Sequence, residues 1–424
     1  MNDFIEYISL EEVFEAYYEC RRNKRRTCNA LAFESDYEVK LVELWREINT
    51  ETYEIGKSIA FIVTRPVKRE VFAADFRDRI VHHLVVHRLE PLFEEVFIDD
   101  NYNCRKNKGV LYGVKRLHRQ VKECTENYTK ECYIAKCDLQ GFFMSIHKPT
   151  LWQMLEQFIW ENYTGADIKI LLYLVKKIVL HNPELNCIKR SPPYMWNGLA
   201  ANKSLFTSGK DYGVPIGNLT SQIFANFYLH GFDSWMKSKY PFYGRYVDDF
   251  HFESPSKEKI LQDIPQIRQY LKDKLSVNLH PKKLYLRHYR KGCKFIGSVV
   301  KGELLYASNR TVSNFYNAIR KFNQMAEENP DYVVENVEHF ISSLNSYFGF
   351  LKHYNSYAIR RKLAGMISLA WYKVMYISGH FDKAVCKKKY KQCEILKLKC
   401  KNKEIFKTKH YDSDKWIKDG LQTA

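Results

Sequence analysis

The chain has 424 residues, 45% hydrophobic and 15% aromatic, a composition that excludes an intrinsically disordered protein and can fill two or three domains. Its 67 Lys and Arg residues against 49 Asp and Glu residues give a net charge of +18, which predicts a polyanionic partner, either nucleic acid or an anionic membrane surface. The nearest candidate for a membrane span, Gly365 to Gly379, is short and carries Lys373 in its middle, so nucleic acid is favoured and no membrane is expected.

The cysteines and the N-terminal residues predict a cytoplasmic location. Eleven cysteines are scattered without a Cys-x-x-Cys pair, which indicates reduced thiols. The N-terminal stretch MNDFIEYISLEEVFEAYY is acidic and amphipathic, unlike a secretion signal.

Residues 1–60 are predicted to be helical, because Leu10, Val13, Phe14 and Tyr17 are spaced for one apolar face. We therefore expect an N-terminal helical extension.

Two short strands with a basic turn are predicted next, within the stretch FIVTRPVKREVFAADF. The turn carries Arg65, Lys68 and Arg69. Such cations can hold triphosphate oxygens, since Arg offers a planar fork and Lys a point charge. A solvated basic loop is the more common explanation of such a turn, and both interpretations stay open at this point.

A β-type run from Tyr133 to Cys137 ends at Asp138, and Gly141, Phe142 and Phe143 follow it. A carboxylate at the end of a buried strand is costly unless it binds something. Asp138 therefore predicts a partner nearby.

A glycine-framed turn precedes a long apolar helix in the stretch GVPIGNLTSQIFANFYLHGFDSWM. Gly213 and Gly217 frame the turn, and the helix is predicted over Thr220 to Met236. A glycine at the start of a helix lets the backbone approach a ligand closely, although it can equally be a simple cap. The region before it, rich in Pro, Asn and Gly, predicts a long loop.

Two adjacent carboxylates, Asp248 and Asp249, lie between two runs rich in aromatic and β-forming residues. This pattern predicts a tight β-hairpin with the acidic pair at its tip. An ordinary surface turn is the alternative, because Asp is a common turn former. With Asp138 on a neighbouring strand, the pair would complete a cluster of three carboxylates suited to divalent metal ions.

Downstream of the hairpin, an amphipathic helix is predicted over Lys257 to Leu275, followed by strands in LHPKKLYLRH and KGCKFIGSVV. The order strand, helix, helix, hairpin, helix, strand predicts an α+β fold with an antiparallel sheet in a split βαβ layout. The last part, from about residue 303, is predicted to be helical and basic. The lysine-rich tail from Lys383 to Lys409 would add salt-dependent affinity for nucleic acid.

Five segments follow one another along the chain: Asp138 before Gly-Phe-Phe, then GVPIGNLTSQ, YVDD, LHPKK and GCKFIG. Their order and spacing resemble the motif series of reverse transcriptases, over roughly residues 60–300. RDRIVHH and LEPLFE are similar to the fingers of bacterial and group II intron-type enzymes. The resemblance implies a right-hand polymerase fold. We expect an N-terminal helical extension over 1–60, fingers and a catalytic palm over 61–300, and a helical thumb with a basic tail over 301–424.

The resemblance implies that Asp138 and Asp248 bind two Mg²⁺ ions, with Mn²⁺ as an alternative, and that Asp249 completes the acidic cluster. Lys283 matches the lysine that protonates the leaving group, although the adjacent Lys282 cannot be separated from it by sequence.

Further roles concern the incoming nucleotide. Phe143 matches the bulky residue that blocks a ribose 2′-hydroxyl, and Gly141 and Phe142 would line the sugar pocket.

Arg69 matches the cation of the fingers that contacts the triphosphate, with Lys68 or Arg65 as its companion. Ile216 and Gly217 lie in the motif beside the nucleotide. No ribonuclease, protease or endonuclease motif is visible in the sequence.

Ile216 departs from most reverse transcriptases, which carry Gln there. Ile216-Gly217 together with Ser221-Gln222 resembles the enzymes of diversity-generating retroelements. That resemblance implies error-prone copying of a template-repeat RNA at template adenines, because Ile offers shape but no hydrogen bond. It also implies template RNA, an RNA/cDNA duplex, dNTPs and a small basic accessory protein as partners. The alternatives are a retron, phage-defence or group II intron enzyme and a non-catalytic RNA-binding scaffold.

Overall fold

The computed structural model describes residues 6–22, 27–65 and 67–390. The predicted lysine-rich tail lies outside the described residues from position 391 onward. The chain divides into two compact units, an N-terminal unit of residues 1–296 and a C-terminal unit of residues 297–424.

Helices account for most of the described chain. In chain order they are α1 (Leu10–Arg22), α2 (Cys28–Glu34), α3 (Tyr37–Asn49), α4 (Phe76–Val96), α5 (Val110–Cys124), α6 (Phe142–Ser145), α7 (Lys148–Asn162), α8 (Ile168–Leu180), α9 (Leu219–Tyr228), α10 (His230–Lys239), α11 (Lys257–Leu275), α12 (Asn309–Glu328), α13 (Asp331–Glu335), α14 (Val337–Leu351), α15 (Tyr357–Ala364) and α16 (Leu369–Val374). None of these described helices combines the length and the apolar character needed to cross a membrane.

The strands are short and lie between these helices. In chain order they are β1 (Ser58–Val63), β2 (Arg69–Ala73), β3 (Tyr133–Asp138), β4 (Cys187–Lys189), β5 (Tyr243–Tyr246), β6 (Asp249–Ser254), β7 (Tyr285–His288), β8 (Cys293–Phe295), β9 (Ser298–Lys301), β10 (Leu304–Ala307), β11 (Met375–Ile377) and β12 (Ala384–Cys386).

A four-stranded sheet with the order β5-β6-β3-β7 forms the centre of the N-terminal unit. Every neighbouring pair in it is antiparallel. Helices α6 to α10, with the strand β4 between α8 and α9, connect β3 to the β5–β6 hairpin, and α11 connects the hairpin to β7. The predicted α+β class, the antiparallel sheet and the acidic hairpin are therefore confirmed, whereas five helices and β4, rather than two helices, lie between β3 and the hairpin.

A second sheet, with the order β2-β1-β4, contains the predicted basic turn between β1 and β2. β1 pairs antiparallel with β2 and parallel with β4. β4 belongs to residues 183–212, which we call the insert. The sequence predicted a loop there, and the structure shows a chain of short 3₁₀ turns plus this one strand.

The prediction of one continuous helix from Thr220 to Met236 is wrong, because the structure divides this segment into two helices, α9 and α10. The break falls at Leu229, whose ψ of 0° departs from the α-helical value. A ring N–H of His230 donates to the carbonyl oxygen of Phe227 at 2.6 Å, which satisfies one group freed at the end of α9.

One large apolar core joins the helices of the N-terminal unit to the inner face of its central sheet. Phe250 and Phe252 of β6 contribute from the sheet, and Phe227 of α9 stacks on Phe93 of α4 at 4.7 Å between ring centroids. These aromatic contacts fix the helices on one face of the sheet.

The C-terminal unit has its own core, in which the buried Trp371 packs against Phe340 and Phe322. Helices α12 to α16 supply most of it, in agreement with the predicted helical character. The unit also contains two antiparallel hairpins, β9–β10 and β11–β12; β9 begins within the predicted strand segment KGCKFIGSVV, whereas β10, β11 and β12 were not predicted. Their strands have only three or four residues each, too few for a clear alternation in the sequence.

A buried ion pair supports the acidic hairpin from beneath. Arg245 of β5 is fully buried and makes two parallel contacts with Asp233 of α10, Nε to Oδ1 at 2.7 Å and Nη2 to Oδ2 at 2.6 Å. Its Nη1 donates to the carbonyl oxygen of Val247 in the hairpin turn at 2.9 Å. The hydroxyl of Tyr243 donates to Asp233 as well, at 2.6 Å.

We expect Asp233→Asn to destabilise the N-terminal unit by roughly 3–5 kcal/mol, because it leaves the buried guanidinium of Arg245 without its counter-charge. The midpoint of urea unfolding, followed by circular dichroism, measures this loss. Glu123→Gln is the matched control, since it breaks the exposed Arg119–Glu123 pair and should hardly move the midpoint. Equal midpoints for Asp233→Asn and the wild type would contradict the supporting role of the pair.

Candidate active site

The acidic hairpin turns through two residues, Val247 and Asp248, between the end of β5 and the start of β6. Val247 has a φ of 57°, a conformation that is rare for a β-branched residue. The contact from Arg245 to its carbonyl oxygen holds this turn in place. The strain and its buried support indicate a turn built to present Asp248 and Asp249 in one orientation.

The central sheet brings the predicted third carboxylate to this hairpin. Asp138 ends β3 directly opposite Asp249, the first residue of β6, in the antiparallel register. The backbone N–H of Leu139 donates to the carbonyl oxygen of Asp248 at 3.0 Å. Opposite residues of an antiparallel pair have their Cβ atoms about 5 Å apart, so the three acids share one end of the sheet.

Two lysines contact these carboxylates. Lys283 Nζ lies 2.7 Å from Asp138 Oδ2, and Lys136 Nζ lies 3.1 Å from Asp249 Oδ1. Of the two lysines that the sequence left open, Lys283 is therefore the one that contacts Asp138. Lys136 was missed, although the period of two along β3 places it on the same face as Asp138.

The electrostatics of the cluster differ among its members. Burial, followed by repulsion from Asp138 and Asp249, raises the pKa of Asp248 to about 6. Burial also raises the pKa of Asp249, against the opposing effect of Lys136. Burial lowers the pKa of Lys283, but the hydrogen bond to Asp138 and the nearby acids outweigh it, so this pKa lies above its ordinary value. The three carboxylates outnumber the two lysines, so the site has an excess of negative charge when they are ionised, and this charge favours the binding of added cations.

The chemistry of these residues fits a divalent metal ion, since carboxylate oxygens are the ligands that Mg²⁺ and Mn²⁺ prefer. Among the described residues, only Glu19, His83 and His87 bring three possible ligand atoms within 4.8 Å of one another. At the acidic cluster, Lys136 and Lys283 contact two of the three aspartates. Glu19 pairs with both histidines and thereby joins α1 to α4.

The residues after Asp138 form a tight turn into α6. Gly141 has a φ of 56°, and a Cβ added there would lie 2.5 Å from the carbonyl oxygen of Asn202 in the insert. Phe142 is buried in the core, so only its backbone can line a pocket. Phe143 is half-buried, and its carbonyl oxygen accepts the N–H of Val214 at 2.9 Å.

Ile216 and Gly217 lie against β2. The carbonyl oxygen of Ile216 accepts the N–H of Phe72 at 2.9 Å. Gly217 has a φ of 126°, and a Cβ added there would lie 2.8 Å from the side chain of Val71. Ile216 and Phe143 pack against the same small apolar cluster, which contains Ala60, Phe72, Met144 and Leu205.

The three predicted cations of the basic turn are not equivalent. Arg65 and Arg69 are exposed, whereas Lys68 is half-buried and donates to the carbonyl oxygen of Asn197 at 2.6 Å. Pro66, within this turn, lies outside the described residues. The two arginines therefore have the accessible charge, and Lys68 joins the turn to the insert.

Removing the charge of Asp248 should stabilise the metal-free protein at neutral and alkaline pH. The folded state binds the proton of Asp248 more tightly than the unfolded chain does, because the pKa rises from 3.8 to about 6. The contribution of this residue to the free energy of unfolding therefore falls as the pH rises through that window. At pH 8 we expect Asp248→Asn to have a free energy of unfolding about 3 kcal/mol higher than that of the wild type, and hence a higher urea midpoint. Near pH 3 to 4 the two proteins should have nearly the same midpoint.

These measurements are made in a chelator, so that no metal ion offsets the repulsion. Glu335→Gln, at an exposed position of the C-terminal unit, is the control and should show no such difference. A wild type that is as stable as Asp248→Asn at pH 8 would contradict the raised pKa.

Comparison with known proteins finds relatives that are distant. Protein YkfC of Escherichia coli (strain K12) is 23% identical over 164 residues, 39% of this chain and 36% of that protein. Apo telomerase from Candida tropicalis is 12% identical with a TM-score of 0.46, over 76% of this chain and 58% of that chain. Telomerase from Candida albicans, in complex with a fragment of telomeric RNA, is 12% identical with a TM-score of 0.38, over 80% and 65% of the two chains.

The match to a family is broader. The model of the family described as reverse transcriptase (RNA-dependent DNA polymerase) matches residues 68–300, more than half of the chain. This range contains Asp138, Asp248, Asp249 and Lys283. The α+β fold with its antiparallel central sheet is consistent with the right-hand polymerase fold predicted from the motifs. The chain belongs to the reverse transcriptase family.

Proposed function

We propose that this protein is an RNA-directed DNA polymerase whose active centre is the cluster of Asp138, Asp248 and Asp249. The observation that carries the proposal is the antiparallel pairing of Asp138 with Asp249, beside a turn that presents Asp248. Residues 61–300 would then form fingers and palm and residues 301–424 the thumb, after an N-terminal helical extension over 1–60.

In this proposal Asp138 and Asp248 hold two Mg²⁺ ions, and Asp249 completes the acidic cluster. When bound, the ions would activate the primer 3′-hydroxyl and neutralise charge on the leaving pyrophosphate. The repulsion of Asp248 by Asp138 and Asp249 favours such binding, because a bound cation relieves it. Lys136 would hold the carboxylate of Asp249 in its orientation through their 3.1 Å contact.

Lys283 is the proposed general acid. Attack of the primer 3′-hydroxyl on the α-phosphorus releases the hydroxyl proton to water, forms the new phosphodiester and breaks the bond to pyrophosphate. The leaving pyrophosphate oxygen then needs a proton. The ammonium of Lys283 is held at the cluster by Asp138 and stays protonated at neutral pH, since its pKa is raised. Transfer of its proton to the leaving oxygen leaves a neutral amine, which regains a proton from water.

The proposed nucleotide pocket lies between β2 and the turn after Asp138. Arg69 and Arg65 would contact the triphosphate with their exposed guanidinium groups, with Lys68 as companion. Phe143 would exclude a ribose 2′-hydroxyl by its bulk. The backbones of Gly141 and Phe142 would line the sugar pocket, and Ile216 and Gly217 would lie beside the incoming nucleotide.

Primer extension on an RNA template, with dNTPs and Mg²⁺, tests the proposal. We expect Asp248→Asn to reduce extension by about 10³-fold or more, because metal-ion catalysis contributes several kcal/mol to the barrier. The variant should keep the circular dichroism spectrum and RNA affinity of the wild type, which shows that only the chemistry is lost.

A wild-type protein that extends no primer, even with its native RNA and accessory protein supplied, would instead favour the non-catalytic RNA-binding scaffold. Equal extension by the wild type and Asp248→Asn would show that the activity does not use this cluster.

We further propose that the enzyme is of the diversity-generating type and copies a template-repeat RNA with errors at template adenines. Supporting this, the Ile216 side chain packs against an apolar cluster and offers no hydrogen bond to a base. A small basic accessory protein would complete the complex. Because both proteins would be positively charged, the RNA phosphates would lie between them and hold them together.

Ile216→Gln should lower misincorporation opposite template adenines by up to about tenfold, since one additional hydrogen bond contributes about 0.5–1.5 kcal/mol. Sequencing of the cDNA made on the native RNA measures this rate. Ile216→Val, which keeps the apolar shape, is the control and should retain the wild-type errors. An unchanged error rate at adenines in Ile216→Gln would refute the diversity-generating proposal and leave another bacterial reverse transcriptase as the alternative.

A further inference from the structure

A buried carboxylate outside the acidic cluster joins the insert to the strand beside the proposed nucleotide pocket. Glu70 of β2 is 1% exposed. Its Oε1 accepts the backbone N–H of Leu205 at 2.7 Å, and its Oε2 accepts Trp196 Nε1–H at 2.6 Å and Ser204 Oγ–H at 2.7 Å. All three donors belong to the insert and carry no charge.

A carboxylate at this position is costly without such partners. Glu70 shares the inward face of β2 with the buried Phe72, where an apolar residue would ordinarily lie. The three hydrogen bonds offset the desolvation of the charge only while the insert stays in place. Glu70 therefore holds the insert in one position against β2 in a way that an apolar side chain could not.

The insert in turn contacts both sides of the proposed pocket. Leu205, next to Ser204, is buried in the cluster against which Phe143 and Ile216 pack. Phe206 follows it and packs on Phe72, with ring centroids 5.4 Å apart. A shift of Leu205 would therefore be felt at both positions that the proposed function assigns to nucleotide selection.

Two backbone contacts join the insert and the residues after it to the same pocket. The carbonyl oxygen of Asn202 lies where a Cβ of Gly141 would be, so the turn after Asp138 packs directly on the insert. The carbonyl oxygen of Phe143 accepts the N–H of Val214, two residues beyond the insert. Lys68, in the basic turn, donates to Asn197.

We propose that Glu70 is a positioning residue for nucleotide selection, because it fixes the insert and thereby fixes where Phe143 and Ile216 lie. The inference rests on the proposed function, since it takes those two residues as walls of the nucleotide pocket. Glu70 contacts no reacting atom in this proposal. It acts through Leu205 and the apolar cluster, so its loss should change the choice of nucleotide more than the chemistry itself.

The test compares Glu70→Gln and Ser204→Ala with the wild type in primer extension with dNTPs and with ribonucleotides. Glu70→Gln replaces one acceptor oxygen with an amide NH₂, which faces a donor. We expect the ratio of kcat/KM for dNTP over rNTP to fall about tenfold, since small displacements at a reacting site have effects of that size. Ser204→Ala removes one hydrogen bond, so its ratio should fall two- to threefold.

The changes in KM and in kcat, compared for each variant, distinguish a positioning role of Glu70 from a general loss of structure. Glu70→Gln should raise KM for the correct dNTP while kcat stays within about twofold, because the metal-binding cluster is untouched. Tyr194→Ala is the matched control, since Tyr194 belongs to the same insert but is 69% exposed. It should leave both constants and the ratio unchanged.

Hydrogen exchange gives a readout that does not depend on polymerase activity. The N–H of Leu205, which is hydrogen-bonded to Glu70, should exchange at least tenfold faster in Glu70→Gln.

Wild-type discrimination in Glu70→Gln and Ser204→Ala would overturn the inference while leaving the polymerase proposal standing. A wild type that extends no primer would overturn the proposed function, and unchanged exchange at Leu205 would overturn the holding role of Glu70 separately. If Glu70→Gln does not fold, Ser204→Ala decides the inference alone.

Discussion

The antiparallel pairing of β3 with β6 is the constraint on which the rest of the N-terminal unit depends. Its register places Asp138 opposite Asp249, and the turn before β6 adds Asp248. Three carboxylates at one end of a sheet repel one another, so the fold has to hold them against that repulsion. Lys283 and Lys136 offset part of the charge from the sides, and Arg245 fixes the turn from below.

This arrangement concentrates ionised groups where an ordinary core would exclude them. The Arg245–Asp233 pair is fully buried and contributes little to stability compared with apolar residues of the same volume. Its value lies in orientation, because the planar guanidinium contacts both oxygens of Asp233 and the carbonyl oxygen of Val247 at fixed angles. The cluster therefore combines repulsion among its carboxylates with contacts that orient them, as suits a site that receives cations.

The β1–β2 hairpin also contains a buried charged side chain that is held by contacts from another segment of the chain. Glu70 takes an inward position of β2, and the donors that contact it among the described residues all belong to the insert. The strand, the insert and the turn after Asp138 thus pack around one small apolar cluster. The cluster is formed by apolar side chains and does not include the three carboxylates, and the turn after Asp138 joins the two regions.

The amino-acid sequence determined which side chains could perform the chemistry and on which local elements they lie. Asp138 at a strand end, the acidic pair in a hairpin and the helix over Lys257–Leu275 follow from local periodicity and turn chemistry, which act over a few residues. Only the tertiary structure decided which distant groups meet. The contacts of Lys283 with Asp138 and of Glu70 with Leu205 join residues more than a hundred positions apart, and no local pattern encodes such a pairing. The division of α9 from α10 at Leu229 also escaped the sequence, because the apolar pattern continues through the break.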